Sequence, residues 1–369
     1  MEGNEDMQSA KASLFKKTLF LLLSVCLLPS CGEKESEGKA YLSFRGELYS
    51  FVEAENYVYI VSRAQRKLTR DSTFYISSYE KNGQKLWETQ PGFDGTVYPL
   101  KDGRFFYAAR NGKISACDSE GRVIWEKKLC LDTNSNYLLN ADEELMVNTR
   151  SSPTDSTVYQ IIGIDGTAST SPPISNLATC FTYNYPLGGT ITEGFTADYR
   201  WHISRVNEDF SVEWTYTGAD GEGNFYIGDI SDDGRILFTG TKTGTDEVFL
   251  KELDAQGQET KTAVFQSAHI SAAYFQDKIA VSADKFQFLD AELRVASEFE
   301  ARRFSRLKAL DDSFFSYSPG SYERGASVLY DGYCRRYDDS GALISSSAFQ
   351  KSDHFIEIGE TGIFYYRMV

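Results

Sequence analysis

Methionine is scarce in this chain, 4 residues among 369, whereas Phe (25) and Tyr (23) are abundant. Flexible thioethers pad helix cores and stiff aromatics suit a pleated, half-buried surface, so the balance excludes a Met-padded helical core and predicts an all-β protein. Basic charge is in deficit, 38 Lys and Arg against 53 Asp and Glu, a formal net charge of -15. Such a field repels phosphate backbones and anionic head groups, which argues against nucleic acid as a partner. Histidine is limited to His202, His269 and His354, scattered without metal-ligand spacing or a Ser/His/Asp arrangement, and cysteine forms no C-x-x-C pair. No metal and no cofactor are expected. With 41% hydrophobic and 25% charged residues, there is enough apolar material for a packed core, which excludes disorder as the main state.

What is present begins with an export signal. Lys11, Lys16 and Lys17 precede the apolar run Leu19 to Leu28, and Pro29-Ser30-Cys31-Gly32 follows at once. The run falls short of the roughly 20 apolar residues that span a bilayer, so it reads as a cleaved signal peptide over residues 1–30. Leu28-Pro29-Ser30-Cys31 resembles the bacterial lipoprotein box, and that resemblance implies a lipidated Cys31 as the mature N-terminus. Gly32, rather than Asp, follows it, so by the same resemblance the inner-membrane retention signal is missing and outer-membrane anchoring is implied. Residues 33–39 are polar and charged, a solvated tether ahead of one domain over 40–369. The remaining cysteines are Cys117, Cys130, Cys180 and Cys334, and the hairpin turn near Gly121 places Cys130 well beyond the residue facing Cys117, against a disulfide there.

The rest of the chain repeats itself. Glu80-Lys81-Asn82-Gly83-Gln84-Lys85-Leu86-Trp87 aligns without gaps to Asp118-Ser119-Glu120-Gly121-Arg122-Val123-Ile124-Trp125, and more loosely to the stretch from Asn207 to Trp214. Copies without the Trp start at Asp165, Asp254, Asp290 and Asp338, giving a loose period of 36 to 48 residues. Short polar hairpin turns alternate with these, at Glu55-Asn56, Asp102-Gly103, Asp142-Glu143, Gly188-Gly189, Asp233-Gly234, Gln276-Asp277, Asp311-Asp312 and Glu360-Thr361-Gly362. Each unit reads as strand A, tight turn, strand B, variable loop, strand C, Asp-x-x-Gly turn, strand D, which predicts a β-propeller of four-stranded antiparallel blades. The last hairpin, Phe355 to Val369, lacks a second half that Ala40 to Phe44 could supply. That count favours eight blades, with seven plus a terminal hairpin as the alternative. Trp87, Trp125 and Trp214 share one register and are expected to pack strand D against the neighbouring blade.

The segment Ile114 to Trp125 resembles the repeat of quinoprotein-dehydrogenase-like (PQQ-like) propellers, with Ala, Asp, Gly and Trp at matching spacings. The resemblance is good in blades one and two and weaker elsewhere. Enzymes of that superfamily use an adjacent-cysteine disulfide, a stacking Trp and a bound Ca²⁺, and this chain has no Cys-Cys pair. The resemblance therefore implies the non-catalytic branch, similar to the scaffold propellers of the outer-membrane assembly machinery. Asp229 to Gly234 looks like the opening of a calcium loop, but Gly240 stands where the closing carboxylate would be, and the stretch reads as a turn.

Recognition is expected on the B-to-C loops. They are minimal at Arg110 to Gly112 and Ala283 to Lys285, and longer at Arg63 to Ser72, Arg150 to Ser156, Glu193 to Arg200, Thr241 to Asp246 and Pro319 to Gly332. Two are aromatic as well as polar: Phe195, Tyr199, Arg200, Trp201 and His202 in one, Tyr317, Tyr322, Arg324, Tyr330 and Tyr333 in the other. Tyr, Trp and Arg dominate the energetic centres of interfaces, and Trp201 alone among the Trp residues lies outside the repeat register. The chain is thus expected to bind an envelope protein or a glycan. The alternative is a propeller hydrolase or lyase acting on glycans.

Overall fold

The structure, a computed structural model, describes residues 41–45, 47–65, 72–109, 112–129, 136–149, 156–174, 177–196, 198–267, 270–283, 285–300, 306–310, 313–318, 321–322, 329–330, 332–338, 340, 342–349, 354–358 and 363–368. Within them every regular element is a β-strand. Within the described residues the chain forms a β-propeller with seven four-stranded antiparallel sheets, six of them built from strands consecutive in sequence and the seventh interrupted by a two-stranded excursion, and a three-stranded sheet joining the two ends. Sheet two runs Thr96–Pro99, Phe105–Ala108, Lys113–Cys117 and Val123–Lys128, in the strand order that the alternating turns predict. Burial explains the radial order. Phe105–Ala108 is buried throughout, whereas Val123–Lys128, the outer edge, is mostly exposed.

The recurrent turn owes its shape to one side chain and one missing side chain. In the turn from Asp118, Oδ1 accepts the N–H groups of Glu120 and Arg122 at 3.1 and 2.8 Å, the Asx geometry that Asp offers its own backbone. Gly121 then adopts φ 78°. Its lack of a side chain serves the neighbouring sheet, because a Cβ there would lie 2.8 Å from the Trp87 ring. Trp87 Nε1 donates to the Ser119 carbonyl at 2.7 Å, so each Trp clips the outer strand of one sheet onto the turn of the next. Trp125 does the same at Ile164 and Gly166, and Trp214 at Ala255 and Gly257. Where the repeat lacks Gly the conformation persists: Phe210 and Leu293 take φ 66° and 59°.

The ends meet as the sequence suggested. Tyr41–Phe44 pairs with Ile363–Met368, Tyr41 opposite Tyr365 and Phe44 opposite Met368, and the pairing is parallel. Its direction follows from connectivity: Glu47, where the inner strand of sheet one begins, lies three residues beyond Phe44, so the closing strand must run toward that end of the sheet. Leu42 and Phe44 are buried against Val58, Ile60 and Tyr79, and the Tyr79 hydroxyl donates to the Ser43 carbonyl.

Because all seven sheets are antiparallel, the A-to-B and C-to-D turns share one face, the turn face, and the B-to-C loops share the opposite loop face. In sheet four the loop is shorter than the sequence suggested. Thr190–Thr196 and Trp201–Val206 stay paired up to Phe195 opposite Trp201, leaving only residues 197–200 as connection. Alternating β-branched and aromatic residues keep the ladder going where polarity alone had suggested a loop. In sheet seven the stretch between Ser318 and Gly332 contains a two-stranded excursion, Ser321–Tyr322 against Leu329–Tyr330.

Candidate functional site

The loop end of sheets four and five brings together four of the residues singled out by sequence. Phe195 and Trp201 face each other across the last rung of the hairpin, ring centroids 4.2 Å apart. Trp201 is half-buried and also packs 6.0 Å from Phe225 of sheet five, so most of its ring belongs to the core cluster of these sheets. Tyr199 forms the tip. It is 63% exposed, with φ 62°, a conformation that costs a non-glycine residue about 1–2 kcal/mol and lifts the side chain clear of the sheet. Arg200 is anchored from below, its backbone N–H donating to Thr196 Oγ1 at 3.1 Å and Nη2 donating to the Gly218 carbonyl. Its guanidinium lies 3.6 Å from the exposed Asp220 carboxylate, while Nε is buried without a hydrogen-bond partner.

His202 is not a surface residue, which corrects its grouping with the loop. It is fully buried in an interior strand, in a row with Thr179, Gly194 and Thr217 across the sheet. Gly194 lets the Ala178 carbonyl close over this row, since a Cβ there would lie 1.9 Å from that oxygen. Nδ1 shares a proton with Ser204 Oγ at 3.0 Å, and burial pushes the imidazole down to about 4, so it is neutral at physiological pH. Tyr317 and Tyr333 lie on neighbouring strands of sheet seven, and Tyr322 and Tyr330 on the two strands of the excursion beside it. Arg324 and Cys31 lie outside the described residues.

Sequence reasoning missed the buried charges behind this face. Glu193, directly preceding Gly194, is fully buried; Oε2 accepts the Ile227 N–H of sheet five at 3.0 Å, and Oε1 has no partner. Burial raises its carboxyl to about 7, only partly offset by the Ile227 N–H and the Tyr183 hydroxyl. Asp229, first residue of the calcium-like stretch, instead receives the Tyr274 N–H of sheet six at 2.8 Å. Lys251 bonds Glu222 at 2.7 Å, Tyr216 at 3.0 Å and Glu259 at 3.1 Å; burial opposes its charge, but these partners outweigh it and hold the ammonium protonated above its usual range. The legible signal was glycine inside strands, Gly194 and Gly228, each marking a close backbone approach.

Together these elements make a stiff, largely apolar wall with an exposed Tyr and an Arg paired to an exposed carboxylate at its rim, an arrangement suited to polar, aromatic contact with a macromolecular surface. Comparison with family models and with curated proteins finds no match for the chain. Solved structures similar to it are propellers. BamB from Moraxella catarrhalis is 12% identical at a TM-score of 0.51, over 86% of this chain and 95% of that one. The dihydro-heme d1 dehydrogenase NirN, in complex with DHE, is 11% identical at 0.55, over 88% and 76%. Chaetomium thermophilum Sqt1, bound to the N-terminus of ribosomal protein L10, is 9% identical at 0.51, over 85% and 93%. At these identities the likeness concerns the fold.

Proposed function

We propose that this protein is a lipid-anchored, non-enzymatic binding module of the outer membrane, a PQQ-like-repeat propeller whose loop face docks an envelope protein. The observation that carries the reading is the rim of sheet four, where Tyr199 is held out in a strained conformation and Arg200 is fixed beside Asp220. Strain at an exposed tip is a feature of recognition surfaces, and a rigid scaffold carries it at little cost to the core. The lipoprotein box at Cys31 supports the anchor, and Gly32 supports the outer membrane as its destination. The similar propeller Sqt1, bound to the end of another protein, supports a protein rather than a glycan as the ligand.

The test compares full-length protein with the double variant Tyr199→Ala/Arg200→Ala and with a variant shortened between residues 319 and 332, each used to capture partners from envelope extract. Defined envelope proteins recovered by the wild type and lost from both variants, at an unchanged urea midpoint, support the reading. Identical captures from all three refute the site. Trp201→Ala is the poorer probe, because removing a half-buried ring from the core cluster perturbs folding and binding together. Anchoring is tested separately: Cys31→Ser should move the protein from the membrane to the soluble fraction.

A further inference from the structure

The direction of the closing strand has a consequence for how the propeller is held. We infer that the turn face is directed toward the bilayer and the loop face away from it, an orientation that rests on Cys31 being the lipidated residue.

Tyr41–Phe44 runs toward the loop face, so the backbone upstream of Tyr41 departs toward the turn face. Tyr41 lies opposite Tyr365, two residues in from the start of Ile363–Met368, so about 7 Å of strand separates it from the level of the turns. Residues 32–40 then join it to Cys31. The reach of any nine-residue chain is about 30 Å at full extension, and about 15–18 Å root-mean-square for an unstructured one. At its ordinary span the tether leaves the lipid beside the turns. Laying the loop face on the bilayer would require the chain to reverse at residue 40, run back about 10 Å past Phe44 and still clear the excursion after Ser318. That reversal spends about a third of the full extension before any lipid is reached, whereas departure toward the turn face needs no reversal.

Charge decides how closely the turn face approaches. The turns carry Asp102, Asp118, Asp142, Asp165, Asp232 and Asp233, with fewer basic residues among them. Arg104 holds Asp102 below the usual carboxylate range, and the Ser231 hydroxyl does the same for Asp233. Anionic head groups repel such a face across a Debye length of about 8–10 Å, a gap the tether is long enough to leave. The propeller is therefore suspended over the lipid rather than adsorbed on it. The long loops open onto the aqueous side, where a partner meets them without competing with the membrane.

The experiment uses full-length lipidated protein on vesicles of phosphatidylethanolamine and phosphatidylglycerol containing an acceptor-labelled lipid. A fluorescent amino acid is placed either at Asp232, exposed on the turn face of sheet five, or at Asp246, exposed on its loop face. Energy transfer at least twofold greater from position 232 than from position 246 supports the orientation. Equal transfer, or more from position 246, overturns it. Raising the salt concentration should increase transfer from position 232 as the repulsion is screened; no change overturns the suspended arrangement. Flotation separates the two ideas. Protein that does not float with the vesicles, or Cys31→Ser protein that floats equally well, overturns the anchor and the orientation with it, whereas floating protein with the wrong transfer ratio overturns the orientation alone.

Discussion

Glu193→Gln should make the protein more stable at alkaline pH and leave it unchanged at acid pH. In the folded state the carboxyl is raised from 4.5 to about 7 because it is sealed between sheets four and five. Below the unfolded value both states hold the proton and ionisation costs nothing. As pH rises from 4.5 to about 7 the unfolded chain releases its proton and the folded one does not, so stability falls by about 1.4 kcal/mol per pH unit, roughly 3 kcal/mol in all. Above the folded value the loss is complete and constant. Glutamine has no proton to lose, keeps a carbonyl for the Ile227 N–H and presents an amide to the Tyr183 oxygen. Urea unfolding followed by tryptophan fluorescence at pH 5 and pH 8.5 measures the difference, with other titrating groups cancelling between variant and parent. A gain of about 2–3 kcal/mol at pH 8.5 that shrinks below 1 kcal/mol at pH 5, with m unchanged, is expected. A variant that is equally or less stable at pH 8.5 would refute the reasoning, because it would mean that the carboxylate is ionised and well partnered.

Three further outcomes follow from the same packing. Gly257→Ala combines φ 75° with a Cβ 2.5 Å from the Trp214 ring and should cost about 2–4 kcal/mol in urea unfolding, with a shift in tryptophan emission. Gln276→Gly relieves a left-handed residue at an exposed turn, φ 55°, and should raise the midpoint by the equivalent of about 0.5–1 kcal/mol. Lys251→Met leaves Glu222 and Glu259 facing each other without their cation and should cost about 2–3 kcal/mol, a loss that high salt does not restore because Lys251 is buried. Melting in low and high salt checks it.

The architecture was legible because it is written in turns. Asp at the start, Gly three residues on and Trp four after that are demanded by an Asx hydrogen bond, a left-handed residue and a ring seated on bare backbone, so sequence and geometry coincide at Asp118, Gly121 and Trp125. Phe210 and Leu293 show the limit: their N–H groups bond the Asn207 and Asp290 carbonyls as Gly121 bonds Asp118, so the turn keeps its shape and the residue no longer announces it. The candidate site was less legible. Tyr199 and Arg200 emerged from composition alone, but the burial of His202 depends on which strand it occupies and on what Gly194 admits, neither of which a polar run discloses. Glu193 was invisible for a related reason. A carboxylate in a strand reads as solvent-facing unless the N–H it will accept, here from a residue 34 positions away, is already placed.

The parallel pairing of Tyr41–Phe44 with Ile363–Met368 bears on how the molecule withstands being pulled. Force applied to the N-terminal end along the strand axis loads the rungs from Tyr41 to Phe44 together, in shear, and must at the same time drag Leu42 and Phe44 from their pocket. Had the strand left at right angles, the rungs would open in succession like a zip. A ring closed by its own two ends is mechanically firmest along the direction in which its leash runs.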